Sequence, residues 1–90
     1  ELLLAAADGM ESPLLVARAP FELIVANILA GPLIALAPEF SRTLAPHGTL
    51  VLAGLLDSQA SAVLEAYNDF GLELLNRRDG EWPVLVVQSP

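Results

Sequence analysis

Phe21-Glu22-Leu23-Ile24-Val25-Ala26-Asn27-Ile28-Leu29-Ala30-Gly31-Pro32-Leu33 decides the fold of this 90-residue chain. A short apolar run over residues 21–26 stops at a single polar amide, Asn27, and a Gly-Pro-Leu sequence then opens a helical pattern. An apolar run of about six residues bounded by turn signals reads as a buried parallel strand. Open parallel sheets bind ligands beyond the carboxyl ends of their strands, at the level where Asn27 falls.

The flanking sequence extends this reading. Residues 2–7 are an apolar run closed by Asp8-Gly9, a strand and turn, and residues 10–20 carry two prolines and no sustained period, as a loop does. After Asn27, the spacing of Leu33, Leu36, Ala37, Phe40 and Leu44 predicts a helix near 31–44. Pro38 lacks a backbone donor and should break it. Ala45-Pro46-His47-Gly48 predicts a turn, and residues 49–53 a third strand ending at Gly54. Residues 57–70 predict a second helix, with Ala60, Val63, Leu64 and Tyr67 on one face. Asp57 or Ser58 can cap its start and Gly71 can close it. Residues 72–78 and 82–88 flank Asp79-Gly80 and read as a tight hairpin, with Pro83 tolerated near a strand start. Trp82 and Tyr67 are read as core aromatics. Strands alternating with helices give an α/β fold with a parallel sheet and right-handed crossovers, ending in an antiparallel hairpin.

Composition narrows the function. The chain is 54% apolar and 17% charged, which excludes a disordered tail. Asn27 and Pro32 interrupt the longest apolar stretch, so no membrane span or membrane partner is expected. Its net charge of −7 and lack of lysine oppose direct nucleic-acid binding. With no cysteine and a single histidine, His47, thiolate chemistry and a metal cluster are not expected. The chain opens at Glu1 in mid-pattern without an initiator Met, and is expected to be a piece of a longer protein.

Several strings together are distinctive: Asn27-Ile28-Leu29-Ala30-Gly31-Pro32-Leu33, Leu52-Ala53-Gly54-Leu55-Leu56, Gln59, Ala66-Tyr67 and Gly80-Glu81-Trp82. On these, across residues 8–87, the chain resembles the Rossmann-like class I S-adenosylmethionine-dependent methyltransferases. Within them it resembles the ribosomal protein L11 methyltransferase (PrmA) family. The resemblance implies a seven-stranded sheet whose last strand is antiparallel. Residues 1–90 would be the C-terminal part of its catalytic domain, supplying strands three to seven. The glycine-rich cofactor loop, the acidic residue ending strand two and the N-terminal substrate-recognition domain lie outside the chain, so the fragment alone is expected to be inactive. Two positions depart from the family pattern: Ala53 stands where Ser is usual, and His47-Gly48 where Gly-Gly is frequent.

The resemblance also implies S-adenosyl-L-methionine as cofactor, lysine or N-terminal amines of a ribosomal protein as substrate, and a cytoplasmic location. Methyl transfer to nitrogen needs a neutral amine with its lone pair aimed at the methyl carbon, so alignment carries most of the rate. The Asn27 side-chain oxygen and the Ile28 carbonyl can accept from the amine and support its developing positive charge. Asp8 and Gly9 are implied cofactor contacts, with Asn27 beside them. Leu29, Gly31, Pro32, Gly54, Leu55 and Trp82 are implied substrate contacts. Leu29 and Ala30 stand where related enzymes acting on planar groups carry an aromatic, which favours a flexible aliphatic amine.

Several other readings compete with this one. Asn27 could simply cap the following helix. The chain could be a non-catalytic interaction domain on the same fold, distinguished by whether an intact glycine-rich loop lies upstream. The Asn27 string and the C-terminal hairpin argue against a nicotinamide-dependent oxidoreductase. Alone, the strand at residues 2–7 would leave an apolar sheet edge through which the fragment can self-associate.

Overall fold

The computed structural model describes residues 2–5, by their backbone, and residues 20–90. The expected end of the first strand, Asp8-Gly9 and the loop through residue 19 lie outside the described residues. The elements run β1 (Leu2–Ala5), β2 (Phe21–Asn27), α1 (Ala30–Ala35), α2 (Ala37–Thr43), β3 (Leu44–Ala53), a 3-10 turn (Asp57–Gln59), α3 (Ala60–Asn68), β4 (Glu73–Arg78) and β5 (Val84–Gln88). They form one five-stranded sheet of order β1-β2-β3-β5-β4. The pairs β1–β2 and β2–β3 are parallel, and β5 runs antiparallel to both β3 and β4. The expected α/β class and the single reversed strand are therefore present, and the reversed strand lies inside the sheet, between β3 and β4.

Register divides the side chains between two faces, because neighbours along a strand point to opposite sides. Ile24, Leu50 and Val87 form one cross-strand row, and Ala26, Leu52 and Leu85 the next. All six are fully buried, in one cluster with Leu33, Ala37, Phe40, Ala60, Val63 and Tyr67 from the three helices. On the opposite face, Leu23, Thr49 and Gln88 form one row and Val25, Val51 and Val86 another; all six are only half-buried. Asn27 pairs with Ala53 on this open face.

The helical stretch after β2 is broken as expected, but at Leu36, which closes α1 and opens α2. Pro38 thereby falls in the first turn of α2, where a missing donor costs nothing. The Tyr67 hydroxyl donates to the Leu33 carbonyl at 2.6 Å. Leu33 lies in the last turn of α1, where helical donors for the carbonyls run out. Tyr67 is fully buried, and burial raises the pKa of its phenol above the ordinary value.

Three boundaries and one burial differ from the sequence expectations. The turn at residues 45–48 is a bulge inside β3: Leu44 pairs with Phe21 and the next pair joins Thr49 to Leu23. His47 takes a φ of 62°, the left-handed geometry demanded of it there. The second helix begins with a 3-10 turn that neither Asp57 nor Ser58 caps; instead the Leu56 N–H donates to Gln59 Oε1 at 2.8 Å. Its end is closed by Gly71 at φ 86°, as expected. The hairpin is not the tight turn expected of Asp79-Gly80, since residues 79–83 form a five-residue loop from Arg78 to its partner Val84. Pro83 sits buried before β5, and Trp82 is 61% exposed rather than in the core.

Candidate active site

The carboxyl ends of β2 and β3 bring together the two strings that stand out in the sequence. The Ile28 N–H donates to the Ala53 carbonyl at 3.2 Å, continuing the ladder one step past the paired strands. Gly54 follows at φ 87°. A Cβ at that position would stand 2.6 Å from the Ile28 carbonyl oxygen, 2.9 Å from the Ile28 nitrogen and 3.0 Å from Asn27 Oδ1. Such contacts are too short for a real side chain, so only glycine lets the two strand ends meet this way. Asn27 Oδ1 and the Ile28 carbonyl are therefore gathered around one point.

Asn27 is exposed, and no hydrogen bond to another described residue holds its amide. The helix-cap reading fails on geometry, because the N-cap of α1 is Leu29 and no side chain caps it. Ile28 is buried as a whole residue, with its N–H committed to Ala53. Leu29 is 71% exposed beside it. Gly31 and Pro32 lie exposed in the first turn of α1, and the space where a Gly31 Cβ would stand is open. Leu55, expected to contact substrate, is instead fully buried in the core and presents no surface to a ligand, whereas its neighbour Leu56 is exposed. Asp8 and Gly9 fall outside the described residues.

The hairpin loop 79–83 reaches the same sheet edge, since β4 runs parallel to β3. Arg77 fastens this loop to the turn after β3: its guanidinium meets Asp79 Oδ1 at 2.6 Å and Asp57 Oδ1 at 3.5 Å. No sequence pattern announces that link, because Arg77 and Asp57 are twenty residues apart. A hollow of about 330 Å³ lined by Asn76, Arg78, Val84 and Val86 lies on the open face of β4 and β5 and contains none of the candidate residues.

The model of the ribosomal protein L11 methyltransferase (PrmA) family matches residues 4–90. The chain belongs to that family. A ribosomal protein L11 methyltransferase of Brucella suis is 54% identical over 68 residues, covering 76% of this chain and 24% of the relative. One from a Caulobacter species is 44% identical over 86 residues, covering 93% and 30%. The chain thus spans about a quarter to a third of the length of these relatives. Among solved structures, the ribosomal protein L11 methylase of Lactobacillus delbrueckii subsp. bulgaricus superposes with a TM-score of 0.71 at 29% identity, over 78% of this chain and 38% of that one. A methyltransferase of Pyrococcus furiosus shares the fold, with a TM-score of 0.62 at 18% identity over 79% and 42%. The partial Rossmann-like methyltransferase sheet expected from the sequence is the fold observed.

Proposed function

We propose that the full-length protein is an S-adenosylmethionine-dependent N-methyltransferase acting on lysine or N-terminal amines of a ribosomal protein, in the cytoplasm. Residues 1–90 are then the C-terminal part of its catalytic domain, with the glycine-rich cofactor loop and the substrate-recognition domain in the rest of the protein. The observation that carries this reading is the pairing of Asn27 Oδ1 with the Ile28 carbonyl at the carboxyl edge of the sheet, the amide free of any cap.

The donor set suits the chemistry. When bound, S-adenosylmethionine supplies an electrophilic methyl group. Asp8 and Gly9 are the residues of this chain assigned to hold it, with Asn27 beside them. A lysine amine has a reference pKa of about 10.4 and must lose a proton before it can react. Two oxygens that accept its remaining N–H groups fix the direction of the lone pair and support the positive charge that grows on nitrogen. Leu29, Gly31, Pro32, Gly54 and Trp82 border the approach, and no aromatic lies directly after Asn27 to stack on a planar substrate group.

The test is to incubate the full-length protein with S-adenosylmethionine and the ribosomal protein L11 of its own bacterium, then map the added methyl groups by mass spectrometry. Methylated lysine side chains or an N-terminal amine are expected. Methyl groups only on glutamine or arginine would overturn the amine assignment. Absence of both cofactor binding and transfer would favour a non-catalytic interaction domain.

A further inference from the structure

The proposed site has an unexplained mechanical requirement. Asn27 carries the chemistry, yet no described residue hydrogen-bonds its amide. An exposed asparagine without a partner ordinarily samples several rotamers. Something else must restrict it if alignment is to carry the rate.

We propose that Gly54 is the positioning residue for the two acceptors. This rests on the reading of Asn27 given above and assigns Gly54 a role through Asn27 rather than through substrate. Three observations converge. Gly54 has a φ of 87°, so its backbone turns away just after the last paired residue, Ala53. Its missing side chain admits the Ile28 backbone, whose nitrogen and carbonyl oxygen, in successive peptide groups, lie 2.9 and 2.6 Å from the Cβ position. Asn27 Oδ1 lies 3.0 Å from that same position, so the amide oxygen borders the space a side chain at residue 54 would fill. The Ile28 N–H to Ala53 bond at 3.2 Å anchors this backbone at its nitrogen. The side-chain oxygen and the backbone oxygen are thus set by one contact, and a methyl group at residue 54 would displace both. Gly31, the other glycine of the site, shows no such crowding.

The experiment uses the full-length enzyme with three single variants, Gly54→Ala, Gly54→Asn and Asn27→Ala, and the two corresponding double variants. Asparagine tolerates a positive φ better than alanine does, but both place a Cβ against Ile28. If Gly54 positions the acceptors, Gly54→Ala and Gly54→Asn lower kcat alike, by about a hundredfold. KM and cofactor affinity then stay near wild type, and the loss is smaller in the Asn27→Ala background, where only the displacement of the Ile28 carbonyl remains to be felt.

A rise in KM with kcat unchanged would mean that Gly54 meets substrate. Losses that add fully to that of Asn27→Ala, or a loss in Gly54→Ala that Gly54→Asn restores, would reduce Gly54 to a backbone-conformation role. Misfolding of both variants, with cofactor binding lost, would likewise overturn the assignment. The single variant Asn27→Ala separates the role of Asn27 from that of Gly54. If that variant retains full kcat, the underlying reading of Asn27 fails. If it loses activity while the Gly54 variants do not, only the positioning role fails.

Discussion

The two faces of the sheet have unlike tasks. On the covered face, Ile24, Ala26, Leu50, Leu52, Leu85 and Val87 meet three helices and hold the strands in register. On the open face, Leu23, Val25, Val51 and Val86 remain half-exposed, and along β2 the row ends in a polar side chain, Asn27. A one-residue slip of β2 would exchange these roles and bury the amide without a partner. The packing that stabilises the fold is therefore also what keeps Asn27 presented. Residues of the covered face should govern stability, and residues at the carboxyl edge should govern chemistry.

The largest stability effect should come from the covered face. Leu52→Ala empties a fully buried position and should cost about 3 kcal/mol in denaturant unfolding. Val51→Ala, one residue along, should cost only about 1 kcal/mol in the 90-residue chain, because its side chain is half-exposed. A cost in the full-length protein equal to that of Leu52 would show that another layer covers the open face there, as parallel strands ordinarily require.

Tyr67→Phe leaves the shape of the core intact and removes the hydroxyl bond between α3 and α1, for about 1 kcal/mol. It also carries a pH signature. Burial raises the Tyr67 phenol pKa, so its contribution is fully present below the unfolded value of about 10 and is lost as pH climbs beyond it. The alkaline fall in stability measured for the wild type should be shallower in Tyr67→Phe.

The smallest effect belongs to the edge clamp. Arg77→Gln breaks exposed ion pairs to Asp79 and Asp57 and should change stability by less than about 0.5 kcal/mol in thermal unfolding. A larger change would mean that the loop 79–83 is part of the packed fold rather than an appendage to it.

Much of this division was legible in the sequence. A bounded apolar run marks β2, a helical period marks α3, and Pro38 marks the break, because each signal is local. The start of β3 was hidden, since Pro46 and Gly48 read as a turn although a bulge carries the chain through them within one strand. The hairpin loop was misjudged because Asp79-Gly80 favours a two-residue turn, whereas Pro83 cannot donate to the ladder and delays β5 to Val84. Hydrophobicity alone places Trp82 in the core, whereas its position in that loop leaves it exposed. At the site, Asn27 and Gly54 stood out singly. Their mutual contact depends on the β2–β3 register, which no local pattern encodes. The same holds for Tyr67 with Leu33 and for Arg77 with Asp57.

The proposed role of the Asn27 amide, orienting the reacting amine, is tested by the single-turnover methyl-transfer rate of Asn27→Ala in the full-length protein, measured beside its affinity for S-adenosylmethionine. The rate should fall by about 3 kcal/mol of lost transition-state stabilisation, with cofactor affinity nearly unchanged. A wild-type rate, or a lost cofactor affinity with normal chemistry once saturated, would contradict it.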